Sequence, residues 1–237
     1  MSDQCGRMTG MMKLLPLAGY DCESTGTDVA HDRIVSAALI RRGEADVTAQ
    51  TWLINPGVPI PPEAEAIHGI STQMAEADGL QSAVGLESIA QALADCLVAG
   101  LPLVIYNASY DLRILAAELE RHGLASLEDR LGGPVRSVLD PLVIDRGVDR
   151  YRPGKRTLSD LMRVYGLAPA AHQHDASDDV TNTIALLDVI LERHPELPSD
   201  LGQLHDWQVA KHAEWASNFN DWLTSKGRRA TASVVWP

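Results

Sequence analysis

The chain has 237 residues, 45% of them hydrophobic and 22% charged, and a net charge of −12. That is enough for one sizeable globular domain with an extension. The acidity argues against tight, sequence-independent duplex binding, which rests on many Lys and Arg contacts to phosphate; a nuclease stays possible, because its metals neutralise phosphate locally. No apolar run approaches the ~18 residues of a membrane span. Cys5, Cys22 and Cys96 are odd in number and far apart. They read as reduced thiols in a cytoplasm.

Residues 1–13 read as a loose tail. A first strand is expected over Leu14 to Thr25, followed by a turn and a β-branched strand over Ile34 to Ile40. A third strand over Val47 to Pro56 completes an antiparallel meander. "EAEAIHGIS" reads as a short helix and turn, and Leu86 to Ala99 as a helix with Ile89, Leu93, Leu97 and Val98 on one stripe. The apolar run Leu101 to Ala108 reads as a central buried strand. Ser109 is placed to cap the next helix, whose stripe is Leu112, Leu115, Ala116 and Leu119. "VRSVLDPLVID" reads as a fifth strand, and "DRGVDRYRPGKR" as a loop with five basic residues against two acidic ones. "TLSDLMRVYGL" is a helix ended by Gly166. A long helix follows from Asp175 to about Arg193, and His194-Pro195 ends it. Residues 200–226 form a last helix carrying Trp207, Trp215 and Trp222, eight and seven residues apart and therefore near one face. A meander followed by alternating helices and strands predicts an α/β fold, a mixed five-stranded sheet flanked by helices with a C-terminal helical extension.

Chemistry is concentrated in a few acids. Asp21 and Glu23, in "DCESTG", share one face of the first strand by its period of two, with Cys22 turned into the core. Two carboxylates that close repel and are costly to bury without a counter-ion, and hard divalent cations take carboxylate oxygens. Asp111 lies at the start of a helix directly after the buried strand. Its plain alternative is a first-turn acid favoured by the helix dipole. Asp175 and Asp178 fit a cap and its partner, which leaves Asp179 for other work. His68 fits a structural, hydrogen-bonded role. Asn107 fits the strand-to-helix turn, and Thr25 and Gly26 a tight turn beside the acids. Arg146, Arg150, Arg152, Lys155 and Arg156 divide between a solvated loop and phosphate contacts.

"DCESTG", "NASYD" and "HDASDD", in that order and with "IHGI" between the first two, resemble the DEDD exonucleases of the histidine subtype. That family includes the bacterial proofreading subunit, ribonuclease T and oligoribonuclease. The resemblance spans about residues 14 to 193, within a catalytic unit drawn as 14–195 and an extension of 196–237. Ser24 stands where threonine is commoner. The resemblance implies a ribonuclease H-like fold and a two-metal 3′–5′ exonuclease acting on single-stranded ends. Asp21, Glu23, Asp111 and Asp179 would hold two Mg²⁺ or Mn²⁺ ions. The family's five-residue offset selects His174 over His172 as general base. Thr25, Gly26, His68, Asn107, Arg152, Lys155 and Arg156 are the candidate substrate contacts. DNA is the favoured substrate; an exoribonuclease and a catalytically idle nucleic-acid-binding module are the alternatives. The Trp-bearing tail either docks on the exonuclease unit, the favoured expectation, or forms a homodimer. No sliding-clamp peptide is found.

Overall fold

The computed structural model describes residues 16–168 and 176–237. The meander is present as β1 (Leu17–Ser24), β2 (Ile34–Arg42) and β3 (Val47–Asn55), each pair antiparallel. Helices α1 (Pro62–His68) and α2 (Thr72–Asp78) follow, then a two-residue strand β4 (Leu80–Gln81) and α3 (Ser82–Val98). After α3 come β5 (Leu103–Val104), α4 (Ala108–Arg121), α5 (Leu127–Leu131) and β6 (Val138–Leu139). The chain continues through α6 (Pro141–Val148), α7 (Leu158–Val164), α8 (Ala176–Arg193) and α9 (Leu201–Ser225). Among the described residues the strands form one mixed sheet of order β4-β3-β2-β1-β5-β6. It has six strands rather than five, because β4 adds a short parallel edge to β3.

Two other expectations change. The stretch read as a fifth strand pairs only at Val138 and Leu139. Asp140 then caps a helix with Pro141 at its first position, so the apolar residues Leu142, Val143 and Ile144 belong to α6. An Asp-Pro pair starts a helix because the carboxylate satisfies an orphan N–H and proline needs none. Ser109 is not the cap of α4. Asn107 takes that place in the left-handed region, at φ 60° and ψ 45°, and the Asp140 carboxylate accepts the backbone N–H of Asn107 and of Ala108, each at 3.0 Å. Residues 1–13, His172, His174 and Asp175 lie outside the described residues.

Alternation along β1 sorts its side chains between two cores. Ala18, Tyr20 and Cys22 pack toward α3 and α4. Leu17 packs on the other side with residues of α7 and α8. Gly19, on that same side, lets α8 come close: a methyl added there would stand 2.5 Å from Val180 Cγ1 and 2.8 Å from Ile184 Cδ1. The Arg42 guanidinium donates to both Asp188 oxygens, at 2.5 and 2.9 Å, and ties α8 to β2. α9 packs on α6 and β6, with Trp207 against Gly147 and Leu204 in the core shared with α8.

Gly19→Ala should therefore force α8 off the sheet. Overpacking of this kind costs about 1–3 kcal/mol. A urea-unfolding midpoint unchanged from wild type would show that α8 does not rest on this contact.

Candidate active site

The approach of α8 to β1 sets the site. Asp21 and Glu23 project from the α8 side of β1, and Asp179 sits in the first turn of α8. One carboxylate oxygen from each of the three lies within 4.8 Å of the others. Asp111, in the first turn of α4, lines the same open cavity of about 460 Å³ but is not in this tight group. Its Oδ1 accepts the Cys22 N–H at 3.1 Å and the Cys22 thiol at 3.2 Å, and the residue is only 3% exposed. Cys22 is in the core as expected, and its thiol also orients an acid.

Burial, and then the charges of Asp111, Glu23 and Asp179, hold the Asp21 carboxyl well above the usual carboxylate range. Burial raises Asp111 too, against the lowering effect of the Cys22 hydrogen bonds. A cluster of hard oxygen donors whose charges oppose one another suits a divalent cation. The residues present therefore fit a metal, and the fit rests on Asp21, Glu23 and Asp179.

Supporting groups surround the acids. Asp140 is 1% exposed and accepts three backbone N–H groups, those of Asn107, Ala108 and Leu142. Burial nonetheless pushes its carboxyl up to about 6. By fixing the start of α4 it fixes Asp111. The Tyr110 hydroxyl donates to the Gly26 carbonyl at 2.6 Å and lies 2.6 Å from Ser24 Oγ, joining α4 to the end of β1. The Tyr106 hydroxyl donates to the Arg156 carbonyl at 2.6 Å.

The candidate substrate contacts divide. Asn107 and Arg156 line the cavity, and so does Arg146, which lies on α6 rather than in a loop. Arg156 and Arg152 both pair with the fully buried Asp145, so their charge is largely committed inside the fold. Lys155 is exposed and outside the cavity lining. Thr25 is buried, donating to Asp32 Oδ1 at 2.8 Å and accepting the Arg33 N–H at 3.0 Å, and Gly26 abuts Asp32. These two hold the turn after β1 and do not line the cavity. His68 ends α1, where its Nδ1 accepts the Ile70 N–H at 3.1 Å. It is half-buried, burial lowers its pKa, and it lies beside the Ser24 backbone. Asp140, Tyr106, Tyr110 and the position of Arg146 were not recognised from sequence. The Asp-Pro pair was the available sign of Asp140.

The Exonuclease (RNase_T) family pattern matches residues 19–187. This chain belongs to the exonuclease family. The matched span contains Asp21, Glu23, Asp111 and Asp179 and stops before α9. Among curated relatives of this exonuclease, DNA polymerase III PolC-type from Lacticaseibacillus paracasei is 26% identical over 190 residues, covering 79% of this chain and 12% of that protein. Exonuclease I from Methylocaldum szegediense is 27% identical with a TM-score of 0.63, over 87% of this chain and 45% of that one. Exonuclease X, solved in complex with 5′ overhanging duplex DNA, shares the fold at 24% identity and a TM-score of 0.56, over 81% of this chain and 99% of that one. The chain thus spans about an eighth of the length of the curated relatives it matches. No helix among the described residues is long and apolar enough to cross a membrane.

The raised carboxyls make a pH prediction. Asp21 and Asp140 hold their protons more tightly folded than unfolded, so the folded state binds the extra protons and stability falls as pH rises. For Asp140 the fall runs from its unfolded value, about 4, through its folded value near 6. In chelator, the melting temperature should be lower at pH 7.5 than at pH 5, and Mn²⁺ at pH 7.5 should restore it. Asp21→Asn should shrink both changes. A metal-free protein no less stable at pH 7.5 would contradict this.

Proposed function

We propose that this exonuclease works from the 3′ end of single-stranded DNA, is of the histidine subtype, and releases mononucleotides. The observation that carries the reading is the convergence of Asp21, Glu23 and Asp179 oxygens at a cavity whose wall includes Arg146 and Arg156. DNA is favoured because the PolC-type relative is a DNA polymerase and exonuclease X was solved with DNA. A mainly acidic chain with a local cationic wall suits a strand end better than a duplex track. The catalytic unit is taken as 14–195 and the extension as 196–237. Two buried free thiols, Cys22 and Cys96, suit a reducing cytoplasm.

In this mechanism Asp21, Glu23, Asp111 and Asp179 would hold two Mg²⁺ or Mn²⁺ ions. Bound there, such ions would acidify water and neutralise charge on the phosphate undergoing in-line displacement. Cys22 holds one Asp111 oxygen, leaving the carboxylate fixed at the cavity wall. Asn107 and Arg146 would meet the terminal nucleotide, with Arg146 facing its phosphate. His174 would accept the proton of the attacking water, a role that suits an imidazole with pKa near ~6.5. The five-residue step from His174 to Asp179 is the support for that choice.

Digestion of matched DNA and RNA oligomers with free 3′ or blocked 3′ ends tests the reading. Activity should vanish in chelator and return with Mg²⁺ or Mn²⁺. Asp21→Asn should abolish turnover with the fold intact. His174→Ala should slow hydrolysis by about 10²–10⁴-fold while leaving Mn²⁺ affinity near wild type. Full activity in excess chelator would sink the mechanism, and attack from the 5′ end would sink the polarity.

A further inference from the structure

The family match ends at residue 187, so nothing in it accounts for α9. The three tryptophans were expected to dock as one face, but they do not behave alike. Trp207 is packed against Gly147. Trp215 instead stacks on Phe219, with centroids 5.5 Å apart and planes 9° apart, and Phe219 stacks on Trp222 at 5.7 Å and 21°. Trp222 ends the row and is 49% exposed.

The row is joined to the active site. The Arg146 guanidinium lies 4.0 Å from the Trp215 ring centroid, and Arg146 also lines the carboxylate cavity. Arg150 lies over the ring of Tyr151, which is 84% exposed, and pairs with Glu214 on α9. Lys211 takes the other Glu214 oxygen. Past Trp222 the exposed cations Lys226, Arg228 and Arg229 follow within seven residues. Asp221 is an exposed acid beside the row. The face therefore runs from a cationic cavity wall, along stacked rings, to a second cationic group.

We propose that the Trp215–Phe219–Trp222 row of α9 is a track for the single strand behind the terminal nucleotide. This rests on the exonuclease reading. A base would stack on the exposed Trp222, which Phe219 and Trp215 back, and Arg228 and Arg229 would meet backbone phosphates. Rings interleaved with cations are how single strands are held without sequence preference, because every base has a π-face. Continuity with the cavity and the charge at both ends favour nucleic acid over a second protein copy.

The test is anisotropy titration of oligothymidylates of three and twelve nucleotides, with Ca²⁺ replacing Mg²⁺. The wild type should bind the dodecamer at least tenfold more tightly than the trimer, and the dodecamer should quench tryptophan fluorescence. Phe219→Ala with Trp222→Ala should weaken dodecamer binding about tenfold or more and trimer binding less than twofold. Trp222→Phe should retain most of the affinity and lose part of the quench. Dodecamer affinity within twofold of wild type in the double variant would overturn the proposal, as would equal loss for both lengths. A dimer-to-monomer change in that variant, with strand affinity intact, would assign the face to a second copy and likewise overturn it. Failure of the wild type to digest the dodecamer with Mg²⁺ or Mn²⁺ would strike only the exonuclease reading, since binding is scored without cleavage.

Discussion

Holding like charges together is the constraint on which this structure depends. Three carboxylate oxygens within 4.8 Å of one another repel, and burial of Asp21 sharpens the repulsion. Their mutual repulsion opposes that arrangement. Its cost is met by packing elsewhere. The missing side chain of Gly19 lets α8 reach β1, the Arg42–Asp188 fork fixes α8 on β2, and the Val180 and Ile184 contacts complete the seat. A site built this way is held by its scaffold and is ready for counter-charge.

The fourth acid is handled differently. Asp111 shares the cavity wall, yet its position is set by hydrogen bonds rather than by close packing of carboxylates. Cys22, one residue from each of Asp21 and Glu23, holds it from the α4 side of the strand. The same short segment of β1 thus presents two acids on one face and orients a third from the other. Period-two alternation makes this possible without lengthening the strand.

Much of this was legible in the sequence because it follows from local pattern. The meander, the long helices and the co-facial Asp21 and Glu23 come from periodicity alone, and the ordered motifs identified Asp111 and Asp179. What was not legible depends on contacts distant in sequence. An apolar run after Val138 reads equally well as strand or helix, and tertiary pairing limits β6 to two residues. Arg152 and Arg156 look like surface cations until Asp145 is seen buried between them. Asp140 looks like an ordinary cap of α6, because its bonds to Asn107 and Ala108 cross more than thirty residues.

Asp140 has one more partner. Its backbone N–H donates to Oε1 of Gln208, at 2.7 Å, while the Gln208 amide donates to the Val138 carbonyl at 3.1 Å. Gln208 is fully buried and belongs to α9, outside the span shared with the family. The start of α4, the start of α6 and the middle of α9 are therefore linked through a single residue. Units linked in this way open together, so amide protons at these three places should exchange as one cooperative group. The family match ends at residue 187, and these hydrogen bonds run across that limit to tie the last helix to the starts of α4 and α6.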